Sequence, residues 1–452
     1  MSKKIRNSSA KISMPVVNPN AAGIDVGSRS HYVCVAQDNV KEFRSHTIGL
    51  NEICIHLKSH KVETIAIEST GFYWQQLFTI LQSYGFEVIV VNARHVKNVK
   101  GHKTDVVDSK WLQLLHSIGL LSSSFQPDSF TSELRQYTRH RRSLVETSTK
   151  FTQKMNKSLV LMNLQLKTVL RDLTGESGLK VISAIISGER NTNNLEKLVG
   201  KNVKASREEI KKALTGDWRS EHLFELSQNF KFYNFTWEQI RKTDYEIEIL
   251  LKNWEINNGD KLIKKDYFFK KKVKSSQKND PKFNVKSYAY QMTGGVDLSE
   301  IEGVNINTIL TIMTETGFDI VSKFKTAKHF ASWLGFTPNR KITGGKTMSS
   351  RTQRIRRPLT FAIRQAANSV GNSKGRLGDF FRRLAYKKGR SVAIVATARK
   401  IAVIIYKMLE TGDDYSYGYA ETEILRIKRS QIKNIKKKIV QLGIKEEELF
   451  YL

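Results

Sequence analysis

Residues 21–37 read Ala21-Ala22-Gly23-Ile24-Asp25-Val26-Gly27-Ser28-Arg29-Ser30-His31-Tyr32-Val33-Cys34-Val35-Ala36-Gln37. Two apolar, β-branched runs, 21–26 and 31–37, flank a short polar turn, which is the pattern of a β-hairpin. A third strand is predicted over 41–48. The periodicity then becomes helical over 50–59, where Leu50, Ile53, Cys54 and Leu57 share one face. Strand 63–68, helix 72–84, strand 87–92 and a helix over 104–115 follow. Three consecutive strands followed by alternating helices and strands predict a mixed sheet with helices against it.

That frame carries four acids. Asp25 ends the first strand, and Glu68 ends a later one in Ile65-Ala66-Ile67-Glu68-Ser69-Thr70-Gly71. A carboxylate on an apolar strand is costly unless something pairs with it. The C-terminal ends of strands are also where open α/β sheets place their ligands. Asp105 and Asp108 lie three apart on a helix and share a face. Four such oxygen donors suit a hard cation, Mg²⁺ or Mn²⁺, and a pair of ions about 3.5–4 Å apart could activate an attacking oxygen and stabilise a leaving one. Taken singly, Asp105 and Asp108 equally suit the first turn of a helix whose N-cap is Thr104. Gly23-Ile24-Asp25-Val26-Gly27 also fits the phosphate loop of an actin-like ATPase, but a second Gly-rich loop is not evident. Lys97, Lys100 and Lys103 lie beside the acids in a basic segment, 94–103, suited to a phosphate backbone.

The chain of 452 residues is long enough for about two or three domains. With 40% hydrophobic and 26% charged residues it reads as globular rather than disordered. Lys and Arg total 75 against 43 Asp and Glu, a net charge of +32. Self-repulsion on that scale calls for a polyanionic partner. No apolar run reaches the roughly 18 residues of a membrane span, and the N-terminus lacks a signal-peptide core. Nucleic acid is therefore favoured over a membrane surface, in a cytoplasmic, nucleoid-associated protein. Cys34 and Cys54 read as core residues and exclude a disulfide framework or a Cys-rich zinc site.

Five regions are expected: a basic disordered arm (1–18), the metal-dependent domain (19–125), a helical and basic middle (126–287), a second compact domain (288–412) and a basic helical tail (413–452). In the middle, 130–170 is helical, with Leu134, Tyr137, Leu144, Phe151, Met155 and Met162 near heptad spacing and interruptions at Arg141, Ser148 and Ser158. A coiled coil, a long helical hairpin and a helix packed on its own domain all fit. Residues 190–290 read as mostly helical and basic. A short helix–turn–helix pattern is predicted over 298–316 with Gly303 at the turn, then helices over 326–334, 358–369, 377–386 and 391–409.

The second domain contains Trp333-Leu334-Gly335-Phe336-Thr337-Pro338-Asn339-Arg340-Lys341-Ile342-Thr343-Gly344-Gly345-Lys346, followed by Ser349, Ser350, Arg351, Arg354, Arg356 and Arg357. The Gly-Gly pair permits close backbone approach to a ligand, and the arginines suit phosphate. Together the two sets of motifs resemble the IS110-type insertion-sequence transposases. The matching pieces include 23–27, 67–71, 91–97, 103–112, Ile301-Glu302-Gly303-Val304 and 331–346. The likeness covers roughly 20–170 and 295–410 with the motif order kept.

The resemblance implies an RNase H/RuvC-like N-terminal domain and a mainly helical C-terminal transposase domain. It implies that Asp25, Glu68, Asp105 and Asp108 form a metal-binding tetrad. It also implies a hydroxyl nucleophile that links covalently to DNA, and an element-encoded guide RNA pairing with donor and target DNA. The family places a serine before Gly-Gly-Lys, where this chain has Thr343. Three alternatives follow: Thr343 attacks, Ser349 or Ser350 takes over, or this copy is impaired. The expected function is a DNA recombinase of a mobile element, acting as a homo-oligomer, with Lys97, Lys100, Lys103, Arg351, Arg354, Arg356 and Arg357 on the backbone. That function requires the two domains to meet, within one chain or between protomers. The alternatives are a junction-resolving nuclease using activated water and a non-catalytic nucleic-acid-binding protein.

Overall fold

The turn after Val26 folds back as predicted. In the computed structural model, which describes residues 14–36, 39–69, 71–92, 104–259, 277–415 and 420–443, strands β1 (Ala21–Val26) and β2 (Ser30–Ala36) pair antiparallel, with Asp25 opposite Tyr32. Strand β3 (Asn39–Arg44) continues the meander, while β4 (Thr64–Glu68) and β5 (Glu87–Val91) add parallel strands. The sheet order is β3-β2-β1-β4-β5. This mixed sheet with flanking helices is of the RNase H/RuvC-like kind. Strand β3 ends short of the expected residue 48. His46 instead caps helix α1 (Thr47–Ser59), its ring nitrogen accepting the Gly49 N–H at 3.1 Å.

Because side chains alternate along a strand, β1 and β4 each show two apolar faces. Ile24, Val26, Ile65 and Ile67 pack with Ile53 and Leu57 of α1 and with Leu77 and Leu81 of α2 (Trp74–Ser83). On the other face Ala66 and Val91 meet Leu112 of α3 (Asp105–Ser117). Gly23 sets how closely α3 approaches. A Cβ there would lie 2.3 Å from the Gln113 nitrogen and 2.7 Å from the Ser109 oxygen, both backbone. Gln113 also donates its side-chain amide to the Ala21 carbonyl at 3.2 Å. Gly23→Ala is therefore expected to destabilise this unit by about 1–3 kcal/mol, the usual range for overpacking. Urea denaturation followed by near-UV signals from this unit checks it, and an unchanged midpoint would count against the close approach.

Residues Met1–Gln126 form one compact unit and Pro127–Leu452 the other. The second unit is strung along two long helices, α4 (Ser129–Leu161) and, after the shorter α5 (Glu176–Ile186), α6 (Thr192–Lys197) and α7 (Arg207–Ala213), α8 (Ser220–Asn257). Buried positions on α4 recur every seven residues, Leu134, Arg141, Ser148 and Met155, and α8 answers with Leu226, Tyr233, Ile240 and Ile247. Leu134 shares a core with Ile247 and Leu251, and Met155 with Leu226 and Tyr233, so the helices run antiparallel. The helical-hairpin alternative is the one observed, and its partner is its own chain.

Arg141 and Ser148, which look like interruptions in the sequence, lie in the seam. The buried Arg141 pairs with the buried Asp244 of α8 and also donates to the Asn279 carbonyl at 3.1 Å. Breaking such a pair leaves an uncompensated buried charge, at a cost of about 3–5 kcal/mol, so a register slip is disfavoured.

The rest of this unit is mainly helical: α9 (Val285–Met292), α10 (Ile306–Thr316), α11 (Ala327–Trp333), α12 (Pro358–Val370), α13 (Arg376–Lys388) and α14 (Arg390–Thr411) around one apolar core, with α15 (Ala420–Leu442) beyond them in sequence. The expected helix–turn–helix at 298–316 is a single 3₁₀ turn, Leu298–Glu300, followed by α10. Gly303 between them has φ +84°, and a Cβ there would meet the Ala366 carbonyl of α12 at 2.4 Å. Among the described residues no helix is long and apolar enough to cross a membrane.

Candidate active site

Asp25 and Glu68 stand on neighbouring strands and on the same face of the sheet. The parallel register pairs Ile24 with Ile67, so the next position sets Asp25 beside Glu68. Ala66, two before Glu68, packs against the α3 side, which places both acids there. Helix α3 then brings Asp105 and Asp108 in its first turn. Thr104 caps it as predicted, its hydroxyl accepting the Val107 N–H at 3.3 Å.

Asp25 feels the charges of the other three. Burial, then the charges of Glu68, Asp105 and Asp108, push the Asp25 carboxyl up to about 6 from an ordinary 3.8. Among the described residues, no three His, Cys, Asp or Glu side chains converge closely enough to hold one ion as they stand. The donor set nevertheless fits a hard divalent cation. The half-buried Asp25 is opposed by the charges of the other three carboxylates, and that repulsion is what a cation would relieve.

Tyr32 is a neighbour that the sequence reading missed. It lies opposite Asp25, and desolvation with the charges of Glu42 and Asp105 raises its phenol. The hairpin register was the signal that could have found it. Gly27 belongs to the β1–β2 turn, its N–H donating to the Ser30 carbonyl at 3.0 Å, rather than to a phosphate loop. Lys97, Lys100 and Lys103 lie outside the described residues.

In the second unit Gly344 and Gly345 turn a two-stranded hairpin, β6 (Lys341–Thr343) and β7 (Lys346–Ser349). Their φ values, +55° and +74°, are those of the tight turn that matches strand twist and that glycine and asparagine favour. The pair thus serves backbone geometry first. Thr343 faces Lys346 across the turn, and both are exposed. Replacing Gly345 with Val is expected to cost about 1–2 kcal/mol of left-handed strain and to open the hairpin. Faster tryptic cleavage after Lys346 is the readout, with Gly344→Asn cleaved no faster than wild type.

Ser349 sits at the far end of β7, its hydroxyl accepting the Arg351 N–H at 3.4 Å, while Ser350 is exposed. Arg351, Arg354 and Arg356 are exposed. The structure places Arg357 differently. Its guanidinium lies 4.4 Å from the Trp333 ring centre and donates to the Trp333 carbonyl, and burial lowers its pKa. Together with the Thr360 hydroxyl, which donates to the Leu334 carbonyl at 3.1 Å, it clamps the base of the hairpin.

A family model for the IS110-type DEDD transposase domain, described as Transposase, matches residues 22–163. A second, described as Transposase IS116/IS110/IS902 family, matches residues 297–381. No curated protein matches the chain. The first match spans the sheet and its four acids, and the second includes the hairpin. The family suggests dependence on a divalent metal and implies a DNA substrate. With half of the chain matched, in the order its motifs run, the protein belongs to the IS110-type insertion-sequence transposases.

Proposed function

We propose that this transposase cuts and rejoins DNA strands with two groups of its own residues, the carboxylates Asp25, Glu68, Asp105 and Asp108 and the hydroxyl of Thr343. The observation that carries it is the meeting of Asp25 and Glu68 on one sheet face with the first turn of α3. The carboxylates would hold Mg²⁺ or Mn²⁺, which supplies charge stabilisation to a phosphoryl group and its leaving oxygen. Lys97, Lys100, Lys103, Arg351, Arg354 and Arg356 hold the DNA backbone, with Arg357 positioning the hairpin through Trp333.

In the strand-breaking step the Thr343 Oγ1 forms a bond to phosphorus as the bond from phosphorus to a deoxyribose oxygen breaks. The oxygen leaves with a proton, and the phosphodiester is conserved as a Thr343–DNA ester. Attack by a DNA hydroxyl on that ester reverses the exchange and joins the new strand. Thr343 is favoured over Ser349 and Ser350 because it stands beside the Gly344-Gly345 turn, opposite Lys346, where backbone can approach a strand closely. The net charge of +32 suits a structured guide RNA that reads donor and target DNA by pairing while the protein, as a homo-oligomer, holds backbones.

The test is a covalent trap. Purified protein with DNA bearing the element ends and MgCl₂ is expected to yield a protein–DNA adduct, with the linked residue mapped to Thr343 by mass spectrometry. Cut DNA with no adduct would indicate a nuclease using water instead. Sequencing of copurifying nucleic acid tests the guide RNA.

A further inference from the structure

Beyond the acids and the hairpin, the second unit holds a cavity of about 500 Å³ walled by α4, α10 and α12. A smaller pocket of about 290 Å³ shares Arg139, Arg142, Glu146 and Phe361 with it and adds Arg356. Phe361, on α12, lies in both linings and is 50% exposed. A half-exposed phenyl ring beside this cavity has no role in the core that α12 builds with its buried face.

The charges around the ring are unequally engaged. Arg139 is satisfied by the buried Glu315, with two hydrogen bonds of 2.8 Å. Among the described residues Arg142 has only a surface pair with Glu146, one helical turn away, of the kind that contributes little. Arg356 has no ion pair among the described residues. Arg356, and Arg142 by exchanging that exposed pair, can thus take an anion near an aromatic face.

The inner wall offers hydrogen-bonding groups. The Asn305 side-chain oxygen is used by the Thr308 N–H and hydroxyl, at 2.9 and 3.0 Å, which leaves its NH₂ as a donor. The Asn307 NH₂ is used on Asp280 at 2.8 Å, which leaves its oxygen as an acceptor. Gln365 is exposed at the same lining and offers both.

We infer that this cavity binds one unpaired nucleotide of a DNA or RNA strand, its base stacked on Phe361, its phosphate on Arg142 and Arg356, and its base edge on the amides behind. The volume is on the scale of small-molecule sites, roughly 300–1,000 Å³. It takes a single extruded nucleotide and excludes a duplex, whose bases stay in the stack. The inference rests on the reading of the chain as one that handles nucleic-acid strands.

Fluorescence anisotropy on the full-length protein tests it, with labelled oligothymidylate and oligouridylate as single strands and a blunt DNA duplex as control. Phe361→Ala is expected to weaken single-strand binding about tenfold or more, the size of one lost base–aromatic stack, with duplex binding unchanged. Phe361→Trp is expected to retain affinity, and Arg356→Ala to reduce the salt dependence by about one counterion. A 5-iodouracil strand is expected to crosslink to the peptide that carries Phe361. Wild-type affinity in Phe361→Ala, with no crosslink there, overturns the cavity assignment and leaves the transposase reading standing. Free UMP displacing the strand at equal concentration overturns the assignment to a strand. Failure of the wild type to bind any of the probes overturns both.

Discussion

Asp25→Asn is expected to lose metal-dependent strand cleavage while the metal-free protein becomes more stable at pH 8. The loss follows from removing one charged donor from the proposed site. Metal stabilisation of transferring phosphoryl charge amounts to several kcal/mol, and at about 1.4 kcal/mol per tenfold this is roughly a 10²–10³-fold drop in rate. The gain follows from the direction of the Asp25 shift. Its carboxyl is pushed up to about 6 in the folded protein from 3.8. A group whose folded pKa is raised contributes stability that is fully present below the unfolded value and lost as pH rises through the folded one. Above about pH 6 the ionised Asp25 therefore works against folding, and asparagine removes that opposition.

The measurement is a pair of melting temperatures, wild type and variant, at pH 8 and pH 4 in a chelating buffer. His31 and His116, lowered by burial, pull stability the other way as the pH falls, but they are common to both proteins and cancel in the difference. The variant should melt higher at pH 8 and show little or no advantage at pH 4. Added MgCl₂ should raise the wild-type melting temperature more than that of Asp25→Asn. A variant that cleaves as fast as wild type would remove Asp25 from the site.

Thr343→Ala is expected to abolish the covalent protein–DNA adduct, a loss on the order of 10⁴-fold or more, as when other hydroxyl nucleophiles are removed. Thr343→Ser should form adduct at least as fast as wild type, because serine lacks the methyl branch that crowds the threonine oxygen. Exposure of the hairpin on both faces keeps either substitution from disturbing a core. Ser349→Ala and Ser350→Ala serve as the comparison. Ser349 lies at the end of β7 remote from the turn, and its substitution should leave the adduct yield near that of wild type. Adduct persisting in Thr343→Ala and vanishing in Ser349→Ala or Ser350→Ala would move the nucleophile.

The acids were legible because each sits in a local pattern. Asp25 and Glu68 end alternating apolar runs, and Asp105 and Asp108 share a helical face behind an N-cap threonine. The hairpin at Gly344 leaves no such pattern, since residues 341–343 and 346–348 are exposed and no core imposes an apolar alternation on them. The stretch 190–290 reads as mostly helical, as α8 bears out, but the buried seam of α8 is hidden for a related reason. Its Asn229, Thr236 and Thr243 are polar yet buried, and only α4 explains why.

The sequence by itself determined the strand and helix order around Gly23–Gly27 and the four acids at their ends, which rest on patterns within a few residues, and the basic character of the chain, which rests on composition. The tertiary structure alone decided that Gly23 admits α3 to the sheet, that Arg141 meets Asp244 across 103 residues of chain, and that Arg357 is committed to Trp333. These depend on which distant surfaces are pressed together. A charge's burial or partner is a property of that contact, and no local window contains it.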